Sequence, residues 1–245
     1  MSTELAKAAA EQLKQDPAAM AAAIELFVPN AIRKLQNTAA VIAEAIDELK
    51  INEVENATDP DIDWLNGFHR HAEDASSDRM RNIFGKVLAG EIRTPGTFSL
   101  TSIRLLAELS PSLAQEFADV HSACVEDWFL KRMNSRGHEW QMLSRLEDAG
   151  LVSLRECVIH QPQSLDWSFG GSDTTYLIAK MKHQSGMKIP IYNLTNAGLE
   201  LGKLLPRPDV EQVLREVAKQ LAPNADSINL IKNKWAEDIL AISMP

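Results

Sequence analysis

Up to about Gly137 the apolar residues return every three or four positions; beyond it that rhythm fails, and this change of period most limits the folds open to the chain. Leu5, Ala9 and Leu13 repeat at four, and Asp16-Pro17 reads as an N-cap followed by proline at the first helical position. A run from Ala18 to Val28 carries Met20, Ile24, Leu26 and Phe27. Pro29 is expected to open a new helix whose stripe is Ile32, Leu35, Ala39, Ile42, Ile46 and Leu49. Residues 52–60 are polar and acidic, as in a linker. Asp61 then opens a helix, Ser76 or Ser77 caps the next, Thr94 to Thr97 form a turn, and Ser99 and Ser110-Pro111 start two more.

After Gly137 the signals differ. His138 to Ala149 still carries a buried-looking stripe, Met142, Leu143 and Leu146, and Gly150 stands where a helix C-terminus wants glycine. Leu151 to Ile159 reads as a strand and residues 160–173 as a loop. Thr174 to Lys182 and Lys188 to Leu194 read as two strands around a turn at Gln184 to Gly186. Thr195 caps a helix to Leu205. Two closing helices are expected at Asp209–Leu221 and Asp226–Ile242.

Charge follows the same partition. Residues 1–119 hold 11 Lys and Arg against 19 Asp and Glu, a net of −8; residues 120–207 hold 10 against 9, and residues 208–245 hold 4 against 6. A chain of net −9 is no nonspecific polyanion binder, so any nucleic-acid contact belongs to the near-neutral middle. Two cysteines without paired spacing exclude a disulfide framework or zinc ribbon and fit a reducing cytosol. No apolar run nears the roughly 20 residues of a membrane span. Met1 to Glu4 does not open like a secretion signal, so a cytoplasmic protein without membrane contact is expected.

Two sequence signatures carry resemblances. Leu146 to Val152, then Tyr192 to Leu201 with Thr195 and Gly198, resembles winged-helix modules, in which a helix ends at a glycine, a two-stranded wing follows, and a threonine-capped helix closes the unit. Ala75 to Asp78, then Phe84-Gly-Lys-Val-Leu-Ala-Gly-Glu91-Ile and Pro95-Gly96-Thr-Phe-Ser99, resembles a bacterial family, domain of unknown function 2806, over roughly residues 60–205. That resemblance implies a bacterial intracellular protein and no particular chemistry. The expected fold is therefore mainly α with a small β part. It comprises an Ala-rich helical arm at 1–57, a short-helix domain at 58–119, a winged-helix-like α+β module at 120–207 and C-terminal helices at 208–245.

Few residues point to chemistry. Glu91, with Pro95, Gly96 and Ser99, forms a structural core motif: its carboxylate is placed to accept backbone N–H groups of the turn or to pair with Arg81 or Arg104. No second titrating partner is spaced to make it catalytic. His69, His71, Glu73, Asp74, Asp61 and Asp63 form the one metal-like cluster, but His69 and His71 point apart on a helix, and a solvated acidic face is the expectation. The pairs His121–Cys124 and Cys157–His160 lack an orienting third group. There is no phosphate loop, GxGxxG or GxSxG, so no catalytic residue, metal or cofactor is expected.

For DNA, Gln141, Ser144 and Arg145 would lie opposite the buried stripe of their helix. Lys180, Lys182 and Lys188 would meet phosphate along a wing, and Lys131, Arg132 and Arg136 complete the basic set. The leading expectation is a non-enzymatic interaction or regulatory protein that self-associates or binds a protein partner through its helical part, in a setting such as stress response or phage defence. Small Ala-rich faces suit an oligomerisation arm; packing on the rest of the chain is the equal alternative. A winged-helix DNA-binding regulator and an uncharacterised hydrolase are the other readings.

Overall fold

The computed structural model describes residues 11, 16–51, 59–130, 137–159, 166–170, 175–182, 189–232 and 239–241. The protein is mainly α-helical with two small antiparallel sheets of four strands each. It divides into two compact units, Met1–Ile103 and Arg104–Pro245.

In the first unit, α1 (Pro17–Ile51), α2 (Ile62–Ala72) and α3 (Asp78–Arg93) follow one another, and α4 (Leu100–Glu108) crosses the division. The caps are those the sequence calls for. Asp61 accepts hydrogen bonds from the backbone N–H of Asp63 and Trp64 at 2.9 and 3.0 Å, and Ser77 accepts one from Met80 at 3.2 Å. Trp64, Phe68 and Ala72, four apart, bury one face of α2; Phe84 and Val87 do so for α3. The rings of Trp64 and Phe68 stack 5.1 Å apart, with Phe84 tilted against Phe68.

Helix α1 meets α3 at Gly85, where an added Cβ would stand 2.5 Å from the Cβ of Glu44 and 3.0 Å from the amide nitrogen of Ala45. Glycine is what lets the two backbones approach this closely. Pro29 corrects one expectation: it opens no new helix but lies inside the 35 residues of α1. Proline removes one helical N–H. Residues 24–33 are all exposed, so the carbonyl left unpaired can be hydrated.

The second unit continues with α5 (Pro111–Ser122), β1 (Cys124–Val125), β2 (Trp128–Leu130), α6 (His138–Asp148), β3 (Val152–Ile159), β4 (Asp166–Gly170), β5 (Thr175–Met181), β6 (Ile189–Leu194), α7 (Asn196–Gly202), α8 (Val210–Leu221), a 3₁₀ turn, β7 (Ala225–Lys232) and β8 (Ile239–Ala241). The first sheet runs β1-β2-β6-β3 and the second β4-β5-β7-β8. Helix α8 buries Val213, Leu214, Val217, Ala218 and Leu221 in one core with Trp167, Phe169, Leu177, Ala179, Met181, Ile228 and Leu230 of the second sheet, and Val125 and Ile191 of the first.

Here the structure corrects the sequence reading in three places. The strands β5 and β6, expected as a hairpin, belong to different sheets: β5 pairs with β4 and β7, while β6 pairs with β2 and β3. Part of the expected loop at 160–173 is β4, whose Trp167 and Phe169 point inward on alternate residues. The expected helix Asp226–Ile242 is instead β7 and β8. Ile228 and Leu230 are buried while Ser227, Asn229 and Ile231 are not, a period of two that fits a sheet and no helix.

Candidate functional site

The feature of the first unit that most invites a partner is helix α1, because its two faces are treated so differently. One face is fixed. Val41 and Ala45 are buried with Asn37, which is 1% exposed. Buried, Asn37 must find partners: its Nδ2 donates to the carbonyl of Glu73 at 2.9 Å and to Ser76 at 3.3 Å, and its Oδ1 accepts from Arg81 at 2.9 Å. Arg81 also donates to the carbonyl of Ala75 at 3.2 Å. Around this centre Arg33 donates to Asp74 and Ser76, Lys34 pairs with Glu73, Asn82 donates to Glu44 at 2.6 Å, and Arg93 reaches Glu48. The Glu73 hydrogen bond holds the Lys34 ammonium above its ordinary range. These clips fasten α1 to the α2–α3 turn and to α3 along its length.

The opposite face is apolar and open. Ile24 is 53% exposed, Val28 44%, Ile32 50%, Leu35 74%, Ile42 46% and Ile46 47%. From Val28 the spacing alternates four and three, through Ile32, Leu35, Ala39, Ile42 and Ile46 to Leu49, the seam that lets one helix pack along another. The sequence shows this stripe but not which way it faces. The stripe does not pack inward: the packed side of α1 is the narrower row of Asn37, Val41 and Ala45.

The Glu91 motif is a lock for the turn that follows α3. Glu91 is 3% exposed, and its two oxygens accept from the backbone N–H of Gly96 at 2.6 Å and of Phe98 at 3.0 Å. Gly96 takes φ +83°, a conformation glycine adopts freely. Trp64 Nε1 donates to the carbonyl of Phe98 at 2.6 Å, and Ser99 accepts from the backbone N–H of Ser102 at 3.2 Å. Both carboxylate oxygens of Glu91 are thus engaged by the turn itself, not by Arg81 or Arg104. Pro95 is exposed.

The candidate DNA residues are dispersed. On α6, Gln141 is exposed, Ser144 half-buried, and Arg145 paired with Glu116 of α5. That hydrogen bond raises the guanidinium's affinity for its proton. Lys180 is exposed on β5, and Lys182 donates to the carbonyl of Pro223 at 3.3 Å; both belong to or follow the second sheet, while β6, expected to form a hairpin with β5, lies in the first. Arg136, Lys188, Lys131 and Arg132 lie outside the described residues.

The two halves of the winged-helix signature do meet. Gly150 takes φ +78°, and Thr195 Oγ1 accepts from Gly198 N–H at 3.0 Å while donating to the carbonyl of Gly150 at 2.5 Å; the Thr195 backbone N–H donates to the carbonyl of Leu151 at 3.1 Å.

Nucleophile candidates are weak. The Cys124 thiol is buried and pushed up to about 12 by burial and by the nearby Asp127 carboxylate. Burial likewise lowers the pKa of His121. Among the described residues no three His, Cys, Asp or Glu side chains converge to hold a metal ion, and no helix is long and apolar enough to cross a membrane. A cleft between α5 and α8 is lined by Asp119, Ser122, Gln212 and Glu216; Asp119 accepts from Gln115 and Glu216 from Lys219.

Residues 26–127 match the family described as protein of unknown function (DUF2806). The match supports the resemblance carried by the Glu91 motif, but it begins inside α1 and stops before β2. No curated protein and no solved structure matches the chain.

Proposed function

We propose that this is a non-enzymatic interaction protein that works through the outward face of α1, by self-association or by receiving an apolar helix of a protein partner. One observation carries the reading: a helix of 35 residues is clipped along one side while the other side holds a continuous apolar stripe in water. Folded chains rarely leave such a patch exposed without a use for it, because each side chain would gain by leaving water. The surrounding acidic surface, with net −8 over residues 1–119, would keep the free chain soluble and turn away polyanions.

The test is a photo-crosslinking side chain placed at Leu35 or, as control, at Leu26, which is 69% exposed on the other side of α1. Adducts formed in cells from position 35 and not from position 26 support the reading; equal or absent crosslinking at the two removes it.

A second reading, a DNA-binding regulator, is favoured by the antiparallel β3–β6 pair that stands between Gly150, at the end of α6, and Thr195, the cap of α7. On that reading Arg145→Ala weakens retention of DNA in a low-salt shift assay, and a wild-type chain that retains none disposes of it.

A further inference from the structure

We infer that the outward face of α1 binds the same face of a second copy of this chain, antiparallel, with Leu35 of one copy over Ala39 of the other. The inference rests on the interaction reading above and names its partner and register.

Three properties of the stripe argue for it. The first is area. Ile24, Val28, Ile32, Leu35, Ile42 and Ile46 are on average half exposed. At the roughly 100 Å² of apolar surface implied for an aliphatic side chain, they offer about 300 Å² per copy. With the apolar share of about 65% found in homodimer interfaces, this corresponds to about 900 Å² buried between two copies, the size of a small interface that forms and parts readily.

The second is shape. Side chains on an antiparallel seam meet with the two heptad positions opposed. One register opposes six of its seven positions, Val28 to Ile46, Ile32 to Ile42 and Leu35 to Ala39, each pair formed twice, and sets Leu49 beside Glu25 at either end. The most exposed of these side chains, Leu35 at 74%, then faces the smallest, Ala39. A parallel pair would instead set Ala39 on Ala39 and leave a gap at its centre.

The third is charge. Glu25 and Lys50 flank the stripe on the same side of the helix, and both are exposed. The register that opposes Leu35 to Ala39 also brings Glu25 beside Lys50 of the other copy, at both ends. A parallel pair would set Glu25 against Glu25 and Lys50 against Lys50. Lys50 already touches Asp47 at 2.7 Å, a contact exposed enough to be shared. The antiparallel pair also opposes the two helix dipoles favourably.

The closing experiment uses the full chain. Light scattering on gel filtration is expected to show a dimer, with Leu35→Asp weakening it at least about a hundredfold while far-ultraviolet circular dichroism stays unchanged, since Leu35 makes little contact within its own copy. In a background where the exposed Cys157 is replaced by serine, chains carrying Leu35→Cys and Ala39→Cys are mixed and oxidised. A mixed 35–39 disulfide forming faster than the 35–35 disulfide supports the antiparallel register; faster 35–35 pairing overturns it. A dimer that Leu35→Asp leaves intact overturns this inference while leaving self-association standing. A wild-type monomer at every concentration overturns it too; adducts of position 35 with another protein would then still sustain the interaction reading.

Discussion

Replacing Glu91 tests whether a buried carboxylate holds the turn between α3 and α4. In the native chain its oxygens accept two backbone N–H groups, Gly96 at 2.6 Å and Phe98 at 3.0 Å, in a site 3% exposed. Glu91→Ala removes both acceptors and strands two donors: Phe98 N–H is buried away from water, whereas Gly96 N–H can be hydrated. Hydrogen bonds to charged groups contribute about 1.5–3 kcal/mol each, and discounting one for the partly exposed Gly96 leaves about 3 kcal/mol for the pair. Glu91→Gln keeps one acceptor but turns an amide N–H₂ toward the other donor, so about 2 kcal/mol is expected. At about 2–4 °C per kcal/mol for a chain of this size, Glu91→Ala should lower Tm by about 6–12 °C and Glu91→Gln by somewhat less. The assay is thermal unfolding followed by circular dichroism, with tryptophan fluorescence as a local probe because Trp64 Nε1 bonds the carbonyl of Phe98. Equal Tm for Glu91→Ala and wild type would refute the argument.

Three further outcomes are expected. Gly198→Ala would place a Cβ 2.1 Å from the carbonyl oxygen of Leu151, which is backbone and cannot yield cheaply; a loss of about 2–3 kcal/mol in urea unfolding is expected, and a neutral result would show that this close approach is not fixed. Leu214→Ala, removing a fully buried side chain where α8 meets both sheets, should cost about 2–5 kcal/mol by the same measurement. His121 has its pKa lowered below 6.5 by burial, so the unfolded chain takes up that proton first as the pH falls. Its contribution is complete above pH 6.5 and lost below it, and His121→Gln should flatten the decline of stability just under pH 6.5 in denaturant titrations at fixed ionic strength.

Local rules carried the reading where the determinants are local. Asp61, Ser77, Ser110 and Thr195 each announce a helix start by a side chain that bonds an N–H two or three residues on, and all four do so. Glu91 could be placed because its partners lie five and seven residues away. What escaped was non-local. The pairing of β5 with β7 joins Thr175 to Lys232 across more than 50 residues, and nothing in the run from Thr174 to Leu194 distinguishes it from a hairpin. The Asp226–Ile242 segment did show alternation at Ile228 and Leu230, but a short apolar run fits either period until its neighbours are known.

The α1 face shows the same limit from the other direction. An amphipathic stripe ordinarily marks the side of a helix that meets the core, and by that rule Ile32, Leu35, Ile42 and Ile46 belong inside. The row that is inside centres on Asn37, a residue a core would reject had the turn from Glu73 to Ser76 and the guanidinium of Arg81 not supplied its bonds. Those partners come from 36 to 44 residues away, so no window along the helix reveals them. The useful sequence signal is the excess itself: a helix with one polar-clipped packing row and a second, wider apolar row has more hydrophobic surface than one neighbour can cover. Small residues at Ala31, Ala39 and Ala43 beside large ones at Ile32, Leu35 and Ile42 give that second row relief, which a surface left to water has no need of and a second helix can use.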